Sequence, residues 1–228
     1  MNNLIKKNIL PKLLAAFLLL PQISISHAGD YSEDKKWRFG FEAGQVNVTN
    51  LANGIATANG LSMVNTFGGT AAESVPNNIS EGRIFFGKHL SENWGFETGY
   101  FYTSPLTINY RGVTGHGVSW TGQTSNSIGA IDLMATLRGS SGTFFENYFV
   151  KYGIQDANLN QTNSISAGGS TATANFNKSG VGSVFAFGYD RQLFGNFDGR
   201  LTYTYMNNIG GQTGLTSYIV NAGLVYKF

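Results

Sequence analysis

Two pairs of histidine and serine are the first places where covalent chemistry could start. His116 lies three residues before Ser119 in Gly115-His116-Gly117-Val118-Ser119, and His89 lies two residues before Ser91. An imidazole can activate a hydroxyl only when a third group, usually a carboxylate, holds the ring in place. No acidic residue lies near His116 in sequence, so it reads as a solvated loop residue, and His89 reads as a hydrogen-bonding filler. The chain has no cysteine and 3 histidines, one of which, His27, falls in an expected leader. That leaves no ligand set for zinc, the carboxylates are too scattered for calcium, and no phosphate-binding glycine motif occurs. No catalytic residue, cofactor or metal is expected.

A second set of charged residues has a different character. Arg38, Glu42, Glu97, Asp132, Lys151 and Arg200 each lie within a stretch that alternates with period two, and each falls on the face opposite the aromatic or aliphatic one. Trp37, Phe39 and Phe41 alternate with Arg38 and Glu42. Trp94, Phe96, Tyr100 and Tyr102 alternate with Gly95, Glu97 and Gly99. Ile131, Leu133, Ala135 and Leu137 oppose Asp132, Thr136 and Arg138, and Tyr148, Val150, Tyr152 and Ile154 oppose Phe149, Lys151 and Gly153. Phe185, Phe187 and Tyr189 alternate with Val184, Ala186, Gly188 and Asp190, and Leu201, Tyr203 and Tyr205 with Arg200, Thr202 and Thr204. With a strand near Arg83 to Leu90 and one at the C-terminus, this makes eight strands. Lys88 is the exception, sharing parity with Ile84 and Phe86 beside a short turn, where its stem can lie on apolar surface while its ammonium reaches water.

The leader and the composition say where such strands would lie. Lys6, Lys7 and Lys12 precede the apolar run Leu13 to Leu20 and the small-residue site Ser26-His27-Ala28, the order of a secretory signal with cleavage after Ala28. Residues 1–28 are therefore expected to be removed, residues 29–36 to form a polar lead-in, and residues 37–228 to form the folded domain. Losing the three leader lysines from 15 basic residues leaves 12 against 13 acidic ones, a net charge of −1 that argues against nucleic acid as a partner. Charged residues make up 12% of the chain, about half the roughly 25% of an average soluble protein, while aromatics reach 14%. After the leader, no apolar stretch is long enough for a spanning helix. The other structure that satisfies its backbone inside a bilayer is a closed barrel, whose strands hide their hydrophobicity by alternation.

The reading is thus an all-β chain, an eight-stranded antiparallel up-and-down transmembrane β-barrel. Long polar connections are expected as outer loops near 49–80, 105–125, 156–178 and 207–214, alternating with short turns. An eight-stranded lumen is just wide enough to be filled by side chains, and charges inside it must be paired. Glu97 and Arg200 are therefore expected to form an internal ion-pair network, with Lys151 and Asp190 as further members.

The last residues, Asn221-Ala222-Gly223-Leu224-Val225-Tyr226-Lys227-Phe228, resemble the closing-strand signal by which Gram-negative bacteria recognise and insert outer-membrane barrels, carried by Asn221, Gly223, Tyr226 and Phe228. Gly95 to Tyr102 (GFETGYFY), Phe149 to Gly153 (FVKYG) and Val184 to Gly210, which includes RLTYTYMNNIG, resemble the transmembrane domain of the OmpA family. The resemblance implies a lumenal carboxylate and arginine pair, matched by Glu97 and Arg200. It also implies an acidic alternative partner, matched by Asp190, and a lysine whose position is Thr136 here, a place that Arg138 or Lys151 would have to fill. The chain ends at the barrel, so the peptidoglycan-binding domain of full-length members, and tethering to the cell wall, is not carried over.

Localisation in the Gram-negative outer membrane with both termini periplasmic follows from this reading. The expected partners are outer-membrane lipid and lipopolysaccharide, the barrel assembly machinery during insertion, and a host-surface or phage ligand at the loops, the protein itself being a monomer. The expected role is non-enzymatic: structural support of the membrane and surface interaction through the loops. A narrow gated porin is the alternative, with a lipid A-modifying enzyme as a third.

Overall fold

The structure, a computed structural model, describes residues 37–67 and 70–228. The expected leader, its cleavage site at Ala28 and the lead-in 29–36 lie outside these residues. Ten strands and one helix follow in order: β1 (Trp37–Asn47), α1 (Thr49–Phe67), β2 (Thr70–Ser74), β3 (Asn78–His89), β4 (Trp94–Thr103), β5 (Leu106–Val113), β6 (Ser119–Arg138), β7 (Tyr148–Ala167), β8 (Ser170–Phe194), β9 (Phe197–Asn207) and β10 (Thr216–Lys227). A 3₁₀ turn at Ile209–Gly211 precedes β10.

Eight of the strands close an antiparallel ring, β1-β3-β4-β6-β7-β8-β9-β10, with β10 returning to β1. At the seam the Trp37 amide donates to the Phe228 carbonyl at 3.1 Å and the Phe228 amide donates to the Trp37 carbonyl at 3.0 Å. Closure leaves no free edge where all eight strands run side by side; beyond that level, among the described residues, Ser170–Gly182 of β8 pairs with β7 alone. Side chains obey the period-two expectation. Phe39, Phe41, Ile84, Tyr100, Ile131, Val150, Ile154, Phe187, Leu201 and Val220 are exposed on the outside, and the charged residues of the opposite faces are buried within.

Aromatic rings mark both borders of the apolar belt. At the end that carries the short turns, Trp37 stacks on Phe86, and Phe86, Phe228, Tyr226, Phe197 and Phe194 continue from ring to ring. At the opposite, loop end, Tyr203 and Tyr205 lie against Tyr218. The eight residue steps from Tyr218 to Tyr226 cover roughly 26 Å of strand, or about 20 Å after the tilt usual in barrels, close to the apolar band of an outer membrane. Lys88 lies outside at the turn end, its ammonium 4.6 Å from the Trp37 ring centre.

Three of the expected loops are ordered elements. The connection 49–80 contains α1 and β2, 105–125 contains β5 and the first part of β6, and 156–178 is the continuation of β7 and β8. β4 and β5 run almost end to end along β6, broken at Ser104 and Pro105, where proline lacks the donor a ladder needs. β7 and β8, 20 and 25 residues long, pair without interruption from Tyr148 opposite Tyr189 to Ala167 opposite Ser170. β7 alone spans roughly 66 Å of strand, far more than the belt requires. Its two-residue turn, Gly168 and Gly169, takes φ of 55° and 83°, which glycine adopts without the cost a side chain would add. The connection 207–214 holds only the 3₁₀ turn, with Asn208 also at positive φ.

The interior has two levels. Charged and polar side chains fill the part nearer the turns. Above them is an apolar cluster that includes Phe101, Ile108, Trp120, Ile128, Met134, Val184, Met206, Ile209 and Ile219. α1 is rich in Asn and Gly, weak helix formers, so burial must hold it. Ala52 and Ala56 enter the apolar cluster, and the Asn59 side-chain amide donates to Thr124 Oγ1 at 3.0 Å. An Ala56→Glu substitution would force a carboxylate into that cluster at a cost of several kcal/mol. The expected result is a ring that still shows heat-modifiable gel mobility while residues 49–67 become accessible to added protease; unchanged protection would mean that α1 is not seated on the barrel interior.

Candidate functional site

Glu97 on β4 is the centre of the lumen. Its Oε1 accepts from Arg83 at 2.7 Å and from the Lys151 ammonium at 2.6 Å, and its Oε2 accepts from Arg200 at 2.8 Å. One carboxylate thus joins β3, β7 and β9 to β4. Arg83 also forks onto Asp132, with bonds of 2.9 and 2.8 Å, and reaches Glu42 at 3.1 Å. Arg200 forks onto Asp190 at 2.7 and 3.0 Å and lies 3.7 Å from Glu42, whose other bond comes from the Thr202 hydroxyl at 2.9 Å. Nearer the turns, Asp190 also receives Arg38 at 3.1 Å and Arg138. Arg38, Arg83, Arg138, Lys151 and Arg200 therefore face Glu42, Glu97, Asp132 and Asp190, five cations against four carboxylates.

Two phenylalanines space these charges. The Arg200 guanidinium lies between Phe85 and Phe149, 4.5 Å from one ring centre and 4.8 Å from the other. Lys151 lies 4.7 Å from Phe149, and Arg83 5.1 Å from Phe85. A ring face attracts a desolvated cation, so apolar bulk here does not oppose the charge. Glycines opposite the rings make the room. A Cβ on Gly40 would come within 2.3 Å of the Phe85 ring, and one on Gly188 within 2.2 Å of the Phe149 ring. Gly99 does the same for Arg83, whose guanidinium would lie 2.6 Å from an added Cβ.

The packing leaves little free space. Lys151 is 1% exposed and Arg200 2%. Where the polar and apolar levels meet, a cavity of about 20 Å³ is bordered by Glu42, Arg83, Asp132, Met134 and Ile219. That is room for about one water.

The structure brings together all five residues singled out in sequence, Glu97, Arg200, Lys151, Asp190 and Arg138, through the bonds above. Thr136 is buried on β6 directly across from Lys151 on β7, so the lumenal lysine lies one strand away from the place the resemblance implies. Arg83, Glu42, Asp132 and Arg38 belong to the same network; alternation puts Arg38, Glu42 and Asp132 on the inner face but does not name their partners, and Arg83 lies in a run without clear alternation. His89 is buried on the lumen side of β3. His116 lies in the turn between β5 and β6. In the closing strand, Asn221 and Gly223 point inward and Tyr226 and Phe228 outward, and a Cβ on Gly223 would meet the Phe41 carbonyl at 2.2 Å.

A sequence profile described as the OmpA-like transmembrane domain matches residues 32–228. The chain belongs to that family. It is thereby an outer-membrane barrel with transmembrane strands. Among curated proteins, no relative matches the sequence. Solved structures similar to this OmpA-like chain include Ail, the attachment invasion locus protein of Yersinia pestis, at 10% identity and a TM-score of 0.43, covering 85% of this chain and 99% of Ail. Neisserial surface protein A matches at 14% identity and a TM-score of 0.43, over 84% of this chain and 97% of its own. OprG of Pseudomonas aeruginosa matches at 10% and 0.39, over 87% and 99%.

Removing one side of a buried charge network leaves the other side uncompensated, typically at about 3–5 kcal/mol. Arg83→Met strips Glu42, Glu97 and Asp132 of a shared partner. Urea unfolding in micelles, followed by tryptophan fluorescence, should show a loss of that size, largely recovered on adding Asp132→Asn and Glu42→Gln. A loss below about 1 kcal/mol would mean that water solvates the carboxylates.

Proposed function

We propose that this OmpA-like barrel is a non-enzymatic surface protein of the Gram-negative outer membrane, whose working part is the ordered structure at its loop end. The observation that carries this reading is the contrast between its two halves. The lumen is filled by paired charges and then by an apolar layer beneath α1, whereas β5, β6, β7 and β8 continue as a paired sheet well beyond the aromatic border. Ordering so many polar residues costs conformational entropy that membrane insertion does not require. A surface held in one shape for recognition is what such order supplies.

In this reading both termini and the short turns face the periplasm and the long hairpins face outside. Tyr226 and Phe228, on the outer face of the closing strand, and Asn221 and Gly223 on its inner face, serve as the signal read by the barrel assembly machinery. The belt contacts outer-membrane lipid, and Arg111 and Lys178, above it, lie at the level of lipopolysaccharide. A host-surface or phage ligand at the hairpins fits the same geometry, and the barrel acts as a monomer that also supports the membrane mechanically. Residues 1–28 act as the cleaved leader.

The second reading, a narrow gated porin, draws on Arg200, which holds Glu97 and Asp190 at once while Lys151 stands ready on Glu97. Planar-bilayer recording of the refolded protein and of Arg200→Ala separates the two. The surface reading expects no discrete openings from the wild type; defined openings that the substitution enlarges would install the porin. In parallel, replacing residues 162–175 with Asn-Gly shortens the β7–β8 hairpin through a turn its strands accept. The shortened protein should fold and insert, yet lower the adherence of expressing cells to host cells or to other bacteria about tenfold. Equal adherence would remove the surface role.

A further inference from the structure

At the loop end, α1, the projecting β7–β8 hairpin and the segment before β10 border a half-open cavity of about 400 Å³, within the roughly 300–1,000 Å³ range of small-ligand sites. We infer that this cavity is a binding site for a neutral sugar unit of a glycan. The inference rests on the proposal that the loop end is the working surface, and it names the ligand class.

The lining is arranged in the way a pyranose ring requires. Leu159 and Leu215 supply an apolar floor, with Ile55 of α1 beside them. Phe176 forms part of the wall and is 55% exposed, so its ring is open to a ligand. A sugar offers one face of C–H groups, which stacks on an aromatic ring, and a periphery of hydroxyls, each both donor and acceptor. Here that periphery meets amides, which offer the same two functions. Gln161 donates to Asn163 at 2.9 Å, which leaves its Oε1 to accept. Gln212 accepts from the Lys178 ammonium at 3.3 Å, which leaves its side-chain amide to donate. Asn59 donates to Thr124 at 3.0 Å, which leaves its Oδ1 to accept. These existing bonds fix the orientation of each amide before a ligand arrives, which lowers the ordering cost of binding.

The same lining argues against charged ligands. Among the described residues no carboxylate borders the cavity, and the one cation that does, Lys178, is already bonded to Gln212. A sulfated or phosphorylated sugar would call for several cations or an arginine fork. A wholly apolar ligand would leave the three amides facing hydrocarbon, each at a cost of about 1–3 kcal/mol. A neutral hexose or N-acetylhexosamine uses both the floor and the rim.

Neutral sugars of this kind occur in the core of the surrounding lipopolysaccharide and on other cells, and the test separates these sources. Saturation-transfer-difference NMR on the full-length mature protein, refolded in micelles free of lipopolysaccharide, would use glucose, galactose, N-acetylglucosamine and lactose, with a sulfated disaccharide as the charged comparison. Transfer should concentrate on ring C–H protons of at least one neutral sugar. Phe176→Ala should weaken it tenfold or more, and Phe176→Trp should restore it. Phe176 lies on the exposed hairpin, so gel mobility before and after boiling should be the same for all three proteins. A second arm offers isolated lipopolysaccharide core oligosaccharide in competition: displacement of the free sugar identifies the protein's own leaflet as the source, and failure to displace identifies another surface. No transfer to any neutral sugar at millimolar concentration, transfer that Phe176→Ala leaves unchanged, or preference for the sulfated sugar would overturn the inference. Such a failure, together with loss of adherence on shortening the hairpin, would leave the surface role standing and remove only the glycan.

Discussion

A carboxylate held by three cations governs what the inside of this barrel can be. Glu97 bonds Arg83, Lys151 and Arg200 away from bulk water. Each of those groups would be costly to bury alone, because the desolvation penalty of an ion in a protein interior amounts to several kcal/mol even after relaxation. They are therefore tolerable only as a set, and a set can form only when the strands that carry them are in register around a closed ring. Sheet closure and charge pairing are two views of one constraint: a slip of one residue in any strand would point its charge at lipid and its apolar residue at the network.

The glycines follow from the same constraint. Five long cationic side chains, four carboxylates and the rings of Phe85 and Phe149 share one layer of an eight-stranded lumen. The volume comes from Gly40, Gly99 and Gly188, where an added Cβ would overlap the ring or guanidinium opposite. Glycine within a strand is ordinarily unfavourable. Here its cost is offset by the ring or guanidinium that covers it, and each ring in turn is held by cations on its faces. Sequence pattern, packing and electrostatics thus depend on one another at the same positions.

Much of this was legible in the sequence, and the missing parts have identifiable causes. Wherever an apolar residue alternated with a charge, as around Glu97, Lys151, Asp190 and Arg200, the face of each side chain followed directly. Arg83 escaped because it begins the run Arg83-Ile84-Phe85-Phe86, in which an inward phenylalanine between two outward apolar residues erases the alternation. The pairing of Phe85 with Gly40 and Gly99 depends on register, which a single chain's pattern does not contain. Above the belt the periodic signal fails for another reason. From Ala157 to Lys178 both faces carry Asn, Gln, Ser and Thr, so a paired strand with polar groups on both faces looks like a loop; only Gly168-Gly169, a hairpin turn signal, marks it. α1 was hidden because its Asn and Gly residues disfavour a helix in isolation, and its two buried alanines are meaningful only once a cluster exists for them to meet.

The order of the two interior levels bears on what the lumen can pass. An ion entering from the turn side would meet first the charged layer, where Arg200 already bridges Asp190 and Glu97 and a change of partner is geometrically short. Beyond it lies the apolar layer of Phe101, Met134, Val184, Met206 and Ile219, and then α1. These two barriers differ in kind. Re-pairing charges lowers the first, but an ion in the second loses its hydration with no charge to replace it. Exchange by Arg200 alone would leave that second barrier in place, so conduction would need α1 and the apolar layer to move as well. Such a movement would dismantle the packing that orders the loop end. In this chain, opening the lumen and keeping the loop end in one shape are opposed, and the extent of ordered β-structure beyond the belt is what supports the surface role proposed above.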